Sequence, residues 1–245
     1  MQAPAYIAIS QQAALQRQTE VIANNLANIS TPAFKADRLV FQEFVQNAGD
    51  AADPTAQMSF VREVGSLRDL REGAMIPTGN SFDFAIAGPG YFVVQTPGGN
   101  RYTRQGSFQL DGKGQVVTIE GFPLLDKTNR PIVKPAGSNR FEVSPSGTIV
   151  SDAGPIGQFQ VVTFTDEQSM KKSGAGMFDS DAAPQPADAK TTVRQGMIEG
   201  SNVQSILEVT SLIEISRRYQ AAQNMLNTEN DLSLKAIQQL GKVAA

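Results

Sequence analysis

Apolar residues at the amino-terminal end of the chain recur at helical spacing. Between Pro4 and Ile29 there is no glycine, and Pro4 stands where the first turn of a helix tolerates proline. Four residues of this segment recur at steps of seven: Ala8, Leu15, Ile22 and Ile29. Between them lie Gln12, Thr19 and Leu26, so that the complete row has residues three or four positions apart. The row predicts a helix with a coiled-coil-like seam. We expect the helix to stop near Pro32, since proline disfavours helical backbone in the preceding residue.

The carboxy-terminal end has a similar pattern over a longer stretch. From Ser201 to about Val243 there is no proline, and no glycine precedes Gly241, so we predict a second helix with Ser201 or Asn202 as its N-cap. Its seven-residue row contains Leu212, Tyr219, Leu226 and Leu240, with Val209 and Ile237 in the alternate row. A helix of about 40 residues would be roughly 60 Å long. Partners outside a small domain would be needed to bury its apolar face.

Between about Gly73 and Gly200 the pattern changes to short β-rich runs separated by turn residues. These runs are 83–87, 91–94, 108–110, 116–119, 131–133, 141–143, 148–150 and 159–164. Asp111-Gly112 separates two of them as a hairpin turn does. The spacing predicts a compact antiparallel β domain.

The predicted fold class is therefore α+β, in which long N- and C-terminal helices pack as a coiled-coil-like α domain and a mainly antiparallel β domain is inserted between them. The predicted segments are 1–30 (helix), 31–72 (connector), 73–200 (β-rich) and 201–245 (helix). The connector fits either a short helix or an extended hairpin, and the Ala-, Asp- and Pro-rich stretches 48–55 and 180–189 fit exposed loops. A monomeric α+β domain, whose helices cover its own sheet, remains the alternative.

Composition excludes several classes of function. The 245 residues include no cysteine, histidine or tryptophan, which removes thiolate and imidazole metal sites, serine–histidine triads and thiol nucleophiles. The formal net charge is −3 with both signs mixed, so no basic surface for nucleic acid is expected. The longest nearly apolar stretch, 84–94, is too short to span a membrane. We expect no cofactor, no metal and no membrane insertion.

Two other classes of protein remain as alternatives. A carboxylate-dependent enzyme on a β scaffold would have Asp83 and Asp111 as its nearest candidates, although no acid–base constellation surrounds them in the sequence. A monomeric export adaptor would bind the subunits of a filament without joining it. Gly88-Pro89-Gly90 lacks the lysine of a phosphate loop and predicts a β turn.

Several sequence blocks carry a specific resemblance. Residues 21–35 read VIANNLANISTPAFK, and further matches are GNSFDFAIAGPGYFVV at 79–94, RYTRQGSF at 101–108 and GSNV at 200–203. Together they resemble the axial rod and hook proteins of the bacterial flagellum, and the length and residues 207–214 are most similar to the proximal-rod type, with the distal-rod type second. Ala33 departs from the family pattern, which usually has glycine there; a positive φ at this position would strain alanine.

The resemblance implies a structural, non-enzymatic subunit of the basal-body rod that assembles helically and transmits torque. Its partners would be copies of itself, other proximal and distal rod proteins, and the flagellar type III export apparatus. The rod spans the periplasm, and export would proceed without a cleaved signal peptide. The start of the chain fits this, since it has neither a basic region nor a continuous apolar region.

Residues expected at assembly contacts follow from these patterns. We hypothesise that Leu26 and Ile22 seal an intersubunit core, while the amides of Asn24, Asn25 and Asn28 fix register by bonding to neighbouring backbone. Solvated or capping asparagines are the alternative. Tyr102, Arg104 and Phe108 are expected on one face of one strand, with Arg104 as the interface candidate. The full set is Leu15, Ile22, Asn24, Asn25, Leu26, Asn28, Phe34, Arg104, Val209, Leu212, Tyr219, Leu226, Ile237 and Leu240.

Overall fold

The chain divides into two compact units, each built from separated segments. A computed structural model describes residues 3–47, 57–188 and 190–243. The first unit, called here the helical unit, comprises Met1–Ala27, Asp37–Arg68 and Gln204–Ala245. The second, the β unit, comprises Asn28–Ala36 and Asp69–Val203. The chain therefore leaves one unit for the other at four points.

Two helices and a long hairpin form the helical unit. Helix α1 spans Ala3–Ala27, helix α2 spans Ser205–Val243, and strands β1 (Asp37–Asn47) and β2 (Gln57–Arg68) pair antiparallel. Helix α1 contacts α2 and both strands. The hairpin register joins Asp37 to Arg68 at the base and shifts between Val40 and Phe41. Of the alternatives for the connector the structure has the extended hairpin; residues 48–55 lie outside the described part of the chain.

The prediction of a coiled-coil-like α domain is wrong. The only two helices among the described residues share their unit with a β hairpin, and the remainder of the described chain is mainly β. The expected seam of α2 is also displaced, because Val209 and Tyr219 are 42% and 41% exposed while Ile215 and Ala222 are buried. Heptad spacing was a poor guide here because an α-helix turns every 3.6 residues, so a row at seven-residue spacing drifts unless a supercoil corrects it.

The β unit contains fifteen short strands among its described residues. They are β3 (Met75–Pro77), β4 (Phe84–Ala87), β5 (Tyr91–Thr96), β6 (Gly99–Thr103), β7 (Phe108–Leu110), β8 (Val116–Thr118), β9 (Phe141–Val143), β10 (Thr148–Ser151), β11 (Gly154–Gln158), β12 (Val161–Thr163), β13 (Lys171–Lys172), β14 (Met177–Asp179), β15 (Gln185–Pro186), β16 (Thr192–Gln195) and β17 (Met197–Glu199). All named pairings are antiparallel, in agreement with the β-rich middle that the sequence predicts.

The largest sheet has the order β13-β14-β6-β5-β12-β15. Its edge strands are two residues long, and they carry Lys171-Lys172 on one side and Gln185-Pro186 on the other. Short edges with lysine or proline resist pairing with a further strand. The sheet is therefore protected against adding another chain at either edge.

Two apolar clusters fill the β unit. The larger contains Phe84, Phe92, Phe108 and Phe159, whose rings pack at centroid distances of 4.8–5.9 Å. The smaller is centred on Tyr91 and packs aromatic rings edge to face. Strand β5 contributes to both, since its alternate side chains point to opposite faces of the sheet.

The prediction that Tyr102, Arg104 and Phe108 share one strand is wrong. Strand β6 ends at Thr103 and β7 begins at Phe108. Tyr102 packs in the smaller cluster and Phe108 in the larger. Gly106 lies between the strands, where an added Cβ would meet the Phe84 carbonyl oxygen at 1.8 Å. This close approach leaves no space for a side chain, so the position requires glycine.

Candidate functional site

A buried cluster of charges lies inside the β unit and joins segments that are distant in sequence. The Glu199 side chain is fully buried, at the end of β17. Its carboxylate accepts hydrogen bonds from Lys35 Nζ at 2.5 Å, from Arg104 Nε at 2.7 Å and from the Gly73 N–H at 3.0 Å. Lys35 Nζ also donates to the Arg71 carbonyl at 2.7 Å. One carboxylate therefore links four segments of the chain.

Arg104 uses the rest of its guanidinium to hold the turn that follows β4. Its Nη1 donates to the carbonyls of Gly88 at 3.1 Å and Gly90 at 3.0 Å, and its Nη2 donates to the Ile86 carbonyl at 3.2 Å. The residue is 5% exposed, so the structure assigns it an internal role and corrects the expectation of a surface contact. Arginine suits this position because its planar group presents five donors in fixed directions.

The electrostatics of the cluster follow from this geometry. Burial of Glu199 favours its protonated form, but the charges of Arg104 and Lys35, with the hydrogen bonds from Lys35 and Gly73, lower its pKa overall. Burial lowers the pKa of Lys35, and the adjacent Glu199 only partly offsets that effect. Removing one member of the cluster would leave a buried charge without its partner, which would lower the stability of the fold.

A second polar contact lies beside the cluster. The Asn202 side chain accepts a hydrogen bond from the Ala36 N–H at 2.8 Å and donates to the carbonyls of Asp69 at 2.8 Å and Arg71 at 2.9 Å. These residues stand at three of the points where the chain leaves the β unit. The amide thus holds together three of the four ends of the two β-unit segments.

Within the helical unit, Asn25 makes a matching contact. Its Nδ2 donates to the Asp37 carbonyl at 2.9 Å, and its Oδ1 accepts from the Asp37 N–H at 3.0 Å. Asn25 is 1% exposed, whereas Asn24 is exposed and Asn28 accepts from the Thr31 hydroxyl at 3.1 Å. Among the three asparagines, Asn25 therefore bonds to backbone of its own chain and fixes the start of β1.

Ala33 occupies the strained conformation that the sequence raised as a possibility. Its φ is +56°, in the left-handed region, and it is buried with its N–H donating to the Glu199 carbonyl at 2.8 Å. The turn keeps the geometry that favours glycine, although alanine stands there. Phe34 follows, half-buried, with the Lys172 ammonium 5.3 Å from the centre of its ring.

The helix positions expected at assembly contacts fall into three groups. In α1, Leu15 is buried and Ile22 and Leu26 are half-buried. In α2, Leu212 and Leu226 are half-buried, while Val209 and Tyr219 are exposed. Ile237 and Leu240 lie on α2, but their side chains are outside the described part of the structure. The remaining exposed apolar side chains near the start of α2 are Ile206 at 80%, Leu207 at 56% and Ile213 at 51%.

Lys35 and Glu199 are functional candidates that sequence reasoning missed. Both carried a signal: Lys35 ends the first family block, and Glu199 directly precedes the last one. A long-range ion pair between two positions so far apart cannot be predicted from the spacing of residues within either block. Over the described residues, neither helix is long and apolar enough to cross a membrane.

Three family models match the chain. The model described as "Flagella basal body rod protein" matches residues 6–35, "Flagellar hook protein FlgE/F/G D1 domain" matches 85–151, and "Flagellar basal body rod FlgEFG protein C-terminal" matches 194–239. The first and last matches cover most of α1 and α2, and the middle one lies within the β unit. Lys35, Arg104 and Glu199 each fall in a different match.

Full-length relatives agree with these families. The flagellar basal-body rod protein FlgF of Caulobacter vibrioides is 35% identical over 97% of this chain and 98% of its own length. FlgF of Rhizobium meliloti is 32% identical over 98% of this chain and 99% of its own length. The flagellar basal-body rod protein FlgG of Bacillus subtilis is 31% identical over 93% of this chain and 95% of its own length. The chain therefore belongs to the FlgE/F/G family of flagellar basal-body rod and hook proteins.

Proposed function

We propose that this structural rod subunit, which is not an enzyme, occupies the proximal segment of the basal-body rod and assembles there helically with copies of itself and with other rod proteins. The single observation that carries helical assembly is the apolar surface left open on α2. Ile206, Val209 and Ile213 recur at helical spacing and are 80%, 42% and 51% exposed. Contiguous exposed apolar side chains on one helix face are typical of a protein interface.

The proximal position is supported by the relatives. FlgF proteins, which the sequence resemblance assigns to the proximal rod, align over 97–98% of this chain. FlgG proteins, assigned to the distal rod, align over 90–93% of it. The identities overlap, so a distal-rod position is the second candidate.

Export by the flagellar type III apparatus, without cleavage of a signal peptide, is part of the same proposal. Torque transmission would follow from incorporation into a rod that joins the motor to the hook.

Electron cryo-microscopy of isolated basal bodies tests the position. Basal bodies from cells that carry a small tag at the end of this chain should show added density in the rod segment next to the inner membrane. A matched strain with the same tag on a distal-rod protein provides the control. If the added density coincides with that of the distal control, the chain occupies the distal rod and the proximal assignment is wrong. If the tag is found only in soluble protein, the chain is not incorporated into the rod.

A further inference from the structure

Residues 192–202, called here the strap, supply one strand to each of two small sheets in the β unit. Among the described residues, β3 has only β17 as a strand partner and β4 has only β16, and both of these partners lie in the strap. The other three sheets of the described β unit are formed entirely within residues 91–186, called here the body. The sheets of the body therefore contain no strand of the strap.

The strap also contacts the first segment of the β unit. The Ala33 N–H donates to the Glu199 carbonyl at 2.8 Å. The Asn202 N–H donates to the Phe34 carbonyl at 3.2 Å. The ion pair between Lys35 and Glu199 lies beside these bonds and joins positions that are 164 residues apart. The strap thus connects two stretches of the β unit that are distant in the chain.

The strap completes the larger apolar cluster of the β unit. Val193 is 4% exposed and belongs to that cluster together with Phe84 and Ile86 of β4. The strap also fits closely against the chain before β3, where a Cβ added to Gly73 would lie 1.9 Å from the Gly200 carbonyl oxygen. Release of the strap would therefore remove the strand partner of β4 and uncover one side of the cluster.

The side chain of Gln195 attaches the strap to the body. Its Oε1 accepts a hydrogen bond from the Val143 N–H at 2.9 Å, and its Nε2 donates to the Phe141 carbonyl at 2.7 Å. Its Nε2 also donates to the Ser81 carbonyl at 2.8 Å. The amide pairs with one N–H and one carbonyl of β9, as the backbone of a neighbouring strand does. This attachment needs β9 to be in place first.

We propose that the strap is the last part of the β unit to dock during folding. Before the body forms, bringing together positions 164 residues apart is roughly 60-fold less probable than closing a loop of about 10 residues. Within the body, β5 pairs with β6, β7 with β8, and β10 with both β9 and β11, so these pairings join strands that follow each other directly. Once the body has formed, only short closures remain for the strap.

This order has a consequence for export, and that consequence rests on the export part of the proposed function. The strap and the first segment of the β unit lie at opposite ends of the unit along the chain. A chain that leaves the export apparatus from either end therefore presents one of them without the other until almost the whole unit has emerged. The last step of folding then waits for the complete unit.

Pulse-labelling hydrogen exchange during refolding of the full purified chain, resolved by mass spectrometry of its peptides, tests the order. Peptides that cover 116–125 should gain protection first, because the N–H groups of Leu124 and Leu125 donate to carbonyls within the body. Peptides that cover the strap, where the N–H groups of Gly196 and Gly200 donate to carbonyls outside it, should gain protection at least about threefold later. Simultaneous or earlier protection of the strap would overturn the inference.

A matched pair of substitutions tests the order through folding rates. Val193→Ala in the strap and Val94→Ala in β5 remove the same atoms from the same cluster. Val193→Ala should raise the unfolding rate about tenfold and change the refolding rate by less than about twofold. Val94→Ala should slow refolding at least about threefold. Stopped-flow urea jumps followed by tyrosine fluorescence measure both rates.

Equal effects of the two substitutions on refolding would contradict late docking of the strap. Both measurements use the purified subunit, so they do not depend on its place in the rod. Absence of the unmodified chain from basal bodies, measured by mass spectrometry, would instead contradict the proposed function and leave the measured folding order unaffected.

Discussion

At the scale of single residues, the buried carboxylate of Glu199 joins the parts of the β unit that family resemblance singles out. Lys35, Arg104 and the Gly73 N–H all donate to it. A buried carboxylate that satisfies two cations cannot be exchanged for a neutral group of the same shape without leaving charge unbalanced.

We therefore expect Glu199→Gln to lower the free energy of unfolding by about 3 kcal/mol at neutral pH, since the buried Lys35 and Arg104 would then lose the carboxylate that both contact. Urea titration followed by circular dichroism measures this change. Glu142→Gln is the control, because Glu142 pairs with Arg140 at 2.6 Å on the exposed surface. It should leave the unfolding midpoint unchanged, and an equal loss in both variants would contradict a special role for Glu199.

The same residue predicts a dependence on pH. The folded-state pKa of Glu199 lies below its ordinary value of 4.5. Its contribution to stability is therefore complete above pH 4.5 and is lost as pH falls through the folded-state pKa. The stability difference between the unmodified chain and Glu199→Gln should shrink on acidification below pH 4.5. A difference that stays constant down to the acid transition would show that ionisation of Glu199 does not matter.

Ala33 gives a prediction of opposite sign. Its positive φ costs alanine roughly 1–2 kcal/mol relative to glycine, part of which is offset by the greater entropy of glycine in the unfolded chain. We expect Ala33→Gly to raise the melting temperature, with a gain of up to about 1 kcal/mol. Ala36→Gly, at a buried neighbouring position without positive φ, should lower it. A loss in both variants would argue against strain at Ala33.

At the scale of elements, Asn25 connects α1 to the first residue of the hairpin. Both atoms of its amide bond to the Asp37 backbone, and the side chain is buried. A two-stranded hairpin is marginally stable by itself, so its attachment to α1 matters for whether it forms. The asparagine has this role because its side chain carries one donor and one acceptor side by side.

Asn25→Ala should destabilise the helical unit by about 1–3 kcal/mol, because the Asp37 N–H and carbonyl lose their partners. Hydrogen exchange at the Asp37 amide should accelerate with it. Asn24→Ala, at an exposed position one residue earlier, should change stability by no more than about 0.5 kcal/mol. Unchanged exchange at Asp37 in Asn25→Ala would show that the hairpin base is held by other contacts.

At the scale of the whole molecule, the apolar patch of Ile206, Val209 and Ile213 predicts a separation of folding from assembly. Ile213→Asp should leave the melting temperature of the free subunit nearly unchanged, since Ile213 is 51% exposed. It should nevertheless reduce motility and the amount of this chain in basal bodies, because a charge would have to be buried in the interface. Gln220→Asp on exposed α2 surface should affect neither quantity. Normal swimming by Ile213→Asp would exclude this patch from the interface.

The sequence by itself determined the family, the two terminal helices and the antiparallel β-rich middle. These features depend on local patterns. Helix α1 has no glycine and its only proline is Pro4 in the first turn, and α2 has no proline and its only glycine is Gly241 near the end. Turn residues separate the strands, and the family blocks are contiguous. Within the predicted α1 row, Ala8 and Leu15 are buried, and the other five positions are half-buried. Local periodicity is sufficient to predict an element where that element contacts its partner along one continuous face.

Only the tertiary structure decided which distant residues meet. Lys35 and Glu199 are 164 positions apart, and no spacing within either block predicts that they pair. Arg104 was expected at an interface because arginine is enriched at protein contacts. It is internal because a buried carboxylate and three carbonyls accept its hydrogen bonds. The coiled-coil prediction was wrong for the same reason: heptad spacing describes one helix, whereas burial depends on what the rest of the chain brings against it.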